Sequence, residues 1–330
     1  MSDQKQTNAD ADLYYFFKPL VTAHEMHPLK IEISILKVLV YFDLFRYPLT
    51  ANEIRRFLDQ PSGETEFNDT LDELVRAKKV FHIDKFYSLS NNLSLAERRI
   101  KGNERAAALL LKAEKIAALL YKFPYTRGIA ISGSLSKSFA DESADIDYFI
   151  ITKANRLWIA RTLLHIYKKN PFLKNRKQYY CMNYFVDEAD LVIEEKNIYT
   201  ATELYTVIPV SGNGSVKKFF ETNSWSHNYF PNQSLPYVKG DLKKHGPWFK
   251  LLAESILNNK LGDWLDNYFL KLTTRRWKKK EDERQLNAKG ERMGLKTTKH
   301  CSKPNPIFFH DRFLSMYEQK LEEWKKTWRI

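Results

Sequence analysis

Cysteine is nearly absent from this chain. Cys181 and Cys301 are the only two, too few and too far apart for a disulfide framework or a cysteine-rich zinc site. Cys181 lies in an apolar stretch and reads as a buried thiol. Glycine is scarce too, 11 in 330 residues, which argues against long flexible linkers. No apolar run approaches the ~18 residues that a membrane-crossing helix needs. The opening residues, MSDQKQTNADADLYY, are polar and carry Asp3, Asp10 and Asp12. They lack the basic-then-apolar order of a secretory signal. These absences point to a cytoplasmic protein with no membrane partner. Internal repeats and low-complexity tracts are also missing. What is present, 43% hydrophobic and 14% aromatic residues, is the content of a folded chain. The length allows two or three domains and a sizeable core.

Charge is unevenly spread. The net is +13, yet Lys271 to Lys303 alone holds twelve Lys/Arg against four Asp/Glu, leaving only +5 for the other 297 residues. A basic segment of this kind can hold nucleic acid through phosphates. The run RRWKKKEDER has both signs closely spaced, which favours a solvated helix surface.

The segment 128–151 reads GIAISGSLSKSFADESADIDYFII. Short, β-branched apolar runs at Gly128–Ser132 and Tyr148–Thr152 read as buried strands. Gly133-Ser134 closes the first, where a strand is expected to hand over to a helix. Free backbone N–H groups and a helix dipole could then hold anionic oxygens. Asp145-Ile146-Asp147 opens the second. Carboxylates two positions apart on a strand share a face, and each raises the other's pKa unless a cation lies between them. Mg²⁺ is the simplest such cation, because it takes carboxylate oxygens and keeps sites for phosphate. A carboxylate pair beside a phosphate cradle implies phosphoryl or nucleotidyl transfer. Such chemistry runs on positioning and charge neutralisation and needs no general-base histidine. None occurs between Asp84 and Ile151.

The order apolar run, Gly-Ser, ten-residue gap, Asp-apolar-Asp resembles the DNA polymerase beta-like nucleotidyltransferase superfamily. The likeness covers roughly Arg105 to Glu195. It implies that Gly133 and Ser134 grip the triphosphate of an incoming NTP, that Lys137 adds a phosphate contact, and that Asp145 and Asp147 hold two Mg²⁺ ions. Family members also place a third carboxylate on a later strand. Here the strand Tyr179–Val186 offers Asn183 at that position, an oxygen ligand without charge. Asp190 and Glu194, on an expected return strand Ala189–Glu194, are substitutes, and Asp187 is a weaker one. The implied activity is Mg²⁺-dependent transfer of a nucleoside monophosphate to an acceptor hydroxyl, with pyrophosphate released. The acceptor is a small molecule, a protein side chain or an RNA end. The alternative is a catalytically inactive nucleotide- or RNA-binding regulatory protein on the same fold, which Asn183 motivates.

Helical periodicity is expected over Ile31–Leu44, over Ala51–Leu58 behind a Thr50/Glu53 capping box, and over Thr65–Ala77. VFHI and FYSL then form a hairpin. Three helices and a hairpin resemble a winged helix-turn-helix domain. Its third helix carries a net −3 between Glu64 and Lys78, which speaks against DNA binding. Further helices are expected over Leu93–Tyr121, Ala154–Lys169, Ile198–Val207, part of Val216–Phe230, and from Trp248 to the basic region. Arg156 and Arg161 read as solvated helix charges or phosphate contacts. Trp225, Tyr229 and Phe230 read as core residues, with base stacking a lesser reading. Pro209–Gly214 reads as a break, Gly290–Pro306 as a long loop, and His310–Trp328 as a last amphipathic helix. The expected fold class is α+β, with a small mixed-sheet nucleotidyltransferase core (93–210) behind a tail (1–28) and a winged-helix-like domain (29–92). A helical C-terminal domain (211–330) follows.

Overall fold

The computed structural model describes residues 23–173, 175–212, 214–234, 236, 247–286, 293–306 and 309–329. The chain begins with α1 (Ala23–Asp43), α2 (Ala51–Arg56), α3 (Glu64–Arg76) and the hairpin β1 (Phe81–Ile83) and β2 (Phe86–Ser88). The capping box is formed: Thr50 Oγ1 accepts from the Glu53 N–H, and the Glu53 carboxylate accepts from the Thr50 N–H. The helix expected from Ile31 starts earlier, at Ala23, inside the stretch read as a tail. Residues 1–22 lie outside the described residues.

The long α4 (Leu93–Leu120) leads into β3 (Thr126–Ser132) and β4 (Asp147–Thr152). After α5 (Leu157–Lys168) and the short α6 (Arg176–Tyr179) comes β5 (Cys181–Asp187). Then follow α7 (Ile198–Thr206), β6 (Ile208–Gly212), α8 (Gly214–Thr222), α9 (Trp248–Ile256) and α10 (Lys260–Asp282). The chain closes with β7 (Met293–Thr297), β8 (Cys301–Pro306) and α11 (Phe309–Trp328). The class is α+β with a mixed six-stranded sheet in the order β6-β3-β4-β5-β8-β7, in which only β4 and β5 pair in parallel.

Both sheet faces are covered, which is why the central strands read as unbroken apolar runs. Ile129, Ile131, Tyr148 and Ile150 pack under α4 and α5. Ala130, Phe149 and Ile151 face Leu204 of α7 and Phe219 of α8. Among the described residues no helix is long and apolar enough to cross a membrane.

Four expectations are corrected. The break at Pro209–Gly214 is the edge strand β6, a position where proline is tolerated because the outer N–H has no ladder partner to serve. The stretch Gly290–Pro306 holds the hairpin β7–β8, joined to β5 at Cys301 and Ser302. The return strand Ala189–Glu194 is reduced to a single bridge between Asp187 and Asp190. The C-terminal third is also not a helical unit by itself. It adds two strands to the sheet, and α11 buries Phe313, Tyr317, Leu321 and Trp328 in one core with Ile31, Ile35 and Leu39 of α1. Tyr317 Oη donates to the Lys37 carbonyl at 3.4 Å, and Lys320 pairs with Asp43.

Candidate functional site

The β3–β4 register sets Asp147 directly across from Ser132, one residue before the Gly133 corner. Gly133 has φ +72°, and a Cβ placed on it would stand 2.5 Å from Asp147 Oδ2. Glycine is therefore required twice, for a left-handed backbone and for the approach of the carboxylate. Only a three-residue 3₁₀ turn (Leu135–Lys137) follows, ended by Ser138 at φ 56°. The expected helix is absent, so no helix dipole acts here. At the corner Gly133 is half-buried and Ser134 exposed, while Leu135 and Ser136 are buried.

A bulge in the β4–β5 ladder completes the arrangement. Tyr148 pairs with Met182 and Phe149 with Tyr184, which leaves Asn183 as the extra residue. Bulges re-aim side chains, and this one turns the Asn183 amide to donate to Asp147 Oδ1 at 2.7 Å. The Asn183 Oδ1 accepts from the Cys181 thiol at 3.2 Å. Both ends of the amide are thus engaged, and Asn183 braces the carboxylate rather than offering a metal an open oxygen. Cys181 is half-buried, not fully buried as expected. Its pKa is pushed up to about 12, first by burial and then by the Asp147 and Asp145 charges, with Lys168 acting in the opposite direction. Both aspartates therefore lie within electrostatic reach of one thiol. Asp145 is exposed and Asp147 half-buried, at the lip of the sheet.

Lys137 is held at the corner. Its Nζ donates to Gly133 O at 3.2 Å and to Glu203 Oε1 at 2.7 Å, and its own carbonyl accepts from Tyr47 Oη. The lysine expected on phosphate is thus paired with a carboxylate of α7.

None of the substitute carboxylates meets the pair. Asp187 is fully buried at the other end of β5, opposite Thr152 and roughly 16 Å along the sheet from Asp147. There it accepts from His300 Nδ1 at 2.9 Å and from the Asn155 N–H at 2.8 Å. Glu194 pairs with Lys296 at 2.7 Å, and Asp190 accepts from the Val192 N–H at 3.4 Å. Among the described residues no group of three or more His, Cys, Asp or Glu side chains is placed to hold a metal.

Two residues that sequence reasoning missed or left open stand on the Asp147 face. Glu203 of α7 turns inward to Lys137 rather than to water. Lys303 of β8 sits on the face of Tyr184, its Nζ 5.1 Å from the ring centroid. Burial holds its pKa below the ordinary lysine value, and Glu195 offsets this in part. It makes no ion pair with a described residue. Nothing in SKPNP announced it, because the position exists only through strand pairing.

Other candidates are structural. Arg156 is buried, with Nη1 on Asp263 at 2.6 Å and Nε on the Leu257 carbonyl at 3.1 Å, so it joins α5 to α10. Arg161 lies over the Trp158 ring at 5.5 Å. Trp225 is half-buried and donates to Asn223 at 3.2 Å, and Phe230 is buried and packs edge-on against Phe57, which gives both structural contacts. The acidic residues Glu64, Asp69, Asp72 and Glu73 of α3 are exposed. Of the basic segment 271–303, residues 287–292 lie outside the described residues.

No protein-family model, curated protein or solved structure matches the chain.

Proposed function

We propose that the chain is a nucleotidyltransferase of the DNA polymerase beta-like kind. One observation carries the reading: Asp147 Oδ2 lies against Gly133, a left-handed glycine that follows β3 with Ser134 after it. An acid pressed onto a glycine corner, with an exposed serine next in the chain, favours a polyphosphate and a divalent ion in the same place. The donor set fits a hard ion. Mg²⁺ binds through one or two carboxylates and fills its other positions with water and phosphate oxygens, so Asp145 and Asp147 suffice to hold it. When bound, it neutralises phosphate charge and lowers the pKa of the attacking hydroxyl.

The chain's own groups would then act as follows. Ser134 and the corner N–H groups seat the phosphates of an NTP. Lys303 supplies the positive charge that Lys137 has given to Glu203. Asn183 keeps Asp147 in one orientation. The acceptor oxygen bonds to the α-phosphorus as the bridge to the β-phosphate breaks, pyrophosphate leaves, and the hydroxyl proton goes to water.

The second reading, an inactive nucleotide- or RNA-binding regulator, is favoured by the engagement of Asn183 on both sides and by the lack, among the described residues, of a third acidic side chain placed to share a metal. One experiment separates the two. The protein is incubated with each labelled NTP and Mg²⁺ or Mn²⁺, and released pyrophosphate and labelled product are measured. The transferase reading expects turnover that falls about 10²-fold or more in Asp145→Ala and Asp147→Ala. NTP binding without turnover supports the regulator. Turnover that survives both substitutions removes the assignment.

A further inference from the structure

Helix α9 is amphipathic the wrong way round. Its polar residues face the protein and its apolar residues face out. Lys250 is buried, and its Nζ donates to the Tyr121 carbonyl at 2.8 Å and the Thr126 carbonyl at 2.7 Å. One turn later Glu254 accepts from the Tyr125 N–H at 2.7 Å and from both terminal nitrogens of Arg127, at 2.9 and 2.6 Å. These clamps, four residues apart, fix the rotation of the helix. They leave Trp248, Leu251, Leu252 and Ile256, at helical spacing, each more than half exposed.

A three-residue turn joins this stripe to α10. There Leu261 and Trp264 are more than half exposed, and Tyr268 is about half exposed, its ring stacked on Trp264 at 5.7 Å. The same face continues at steps of three and four as Lys271, Arg275 and Lys278, all exposed and none in an ion pair with a described residue. Two consecutive helices thus present exposed apolar, tryptophan-bearing stripes, and the stripe on α10 runs into a basic one. The Lys250 and Glu254 clamps hold the apolar face outward, because turning it onto the protein would break both.

We propose that α9 and the exposed face of α10 dock on the headgroup region of an anionic lipid bilayer. Apolar and tryptophan side chains entering the interface, with lysine and arginine beside them, suit such a surface. A two-fold contact with a second copy would set unpaired basic stripes against each other or against leucines. Nucleic acid would satisfy the basic half and gain nothing from Leu251, Leu252 and Ile256. The contact lies on the surface and needs no spanning helix, and it does not depend on the nucleotidyl-transfer reading.

The test uses the full chain and sedimentation with vesicles, either of neutral phosphatidylcholine alone or with about 30% phosphatidylserine. Binding is expected to the anionic vesicles only, to weaken with salt, and to shift tryptophan emission to the blue. Leu252→Ser with Trp264→Ser should abolish it. Lys271→Gln with Arg275→Gln should weaken it roughly thirtyfold, at about one kcal/mol per basic residue. All four positions are exposed, so the melting temperature should stay unchanged. Lack of binding to anionic vesicles overturns the proposal, and so does binding that both double variants retain. A wild-type dimer dissolved by Leu252→Ser with Trp264→Ser overturns it in favour of a second copy. An equal affinity for single-stranded RNA, lost with the basic pair alone, overturns it in favour of nucleic acid.

Discussion

At the scale of single residues, Gly133 is the most exacting position. Its φ of +72° costs an L-residue about 1–2 kcal/mol, and its missing Cβ leaves the space that Asp147 Oδ2 fills. Gly133→Ala should leave a folded protein, checked by its melting curve, with turnover reduced about 10²-fold because the carboxylate is displaced. Lys303→Met should raise the KM for NTP about tenfold and change kcat less, if its charge meets phosphate in both ground and transition states. Asp266 offers a pH test away from the site. Burial raises its pKa from 3.8 to about 6, although it accepts from the Ile159 N–H at 2.9 Å. Its contribution to stability is whole below the unfolded pKa and is lost as pH rises through 6, so the ionised form is a burden at pH 7. Asp266→Asn should therefore stabilise the fold at pH 7 by about 2 kcal/mol. It should also flatten the dependence between pH 4 and 6, read from denaturant titrations.

At the scale of elements, the β4–β5 bulge decides the chemistry of the site. It converts one position of an apolar strand into the brace on Asp147. Asn183→Asp restores the charge that the family resemblance expects there. It should lower the Mg²⁺ concentration for half-maximal turnover about tenfold, measured by pyrophosphate release. The elements that sequence made legible carry their own signals. The 3.6-residue periodicity of α3 and α11 and the Thr50/Glu53 box gave their helices, and β3 and β4 stood out as β-branched runs. The elements that it hid carry none. β6 contains Pro209, and β8 reads CSKPNP. Both are strands because a neighbour supplies the ladder, which no local pattern records. The role of Asp187 was hidden for the same reason, since its partner His300 lies 113 positions away.

At the scale of the whole molecule, the last helix holds the first. α11 shares one core with α1, α2 and α3, so the N-terminal helices depend on the far end of the chain. Leu321→Ala, at a buried position, should cost about 2–3 kcal/mol. It should speed amide exchange in α1 and α11 together, while β3 and β4 stay protected. Exchange confined to α11 would show that the two ends fold independently. The same closure places α7 between the N-terminal core and the site. Ile198 and Tyr199 pack on the first, while Glu203 holds Lys137 in the second.

Sequence by itself determined the mixed α+β class, the helices of the N-terminal third, and the residues Gly133, Ser134, Asp145 and Asp147 as one candidate constellation. Local periodicity, and a fixed spacing between the end of one apolar run and the start of the next, suffice to single them out. Tertiary structure alone decided that Lys137 is paired with Glu203, that Asn183 braces Asp147, and that Lys303 joins their face. It alone turned the apolar side of α9 outward. Those outcomes depend on side chains brought together from 36 to 129 positions apart, and contact at such range is set by register and packing, which no window of sequence contains.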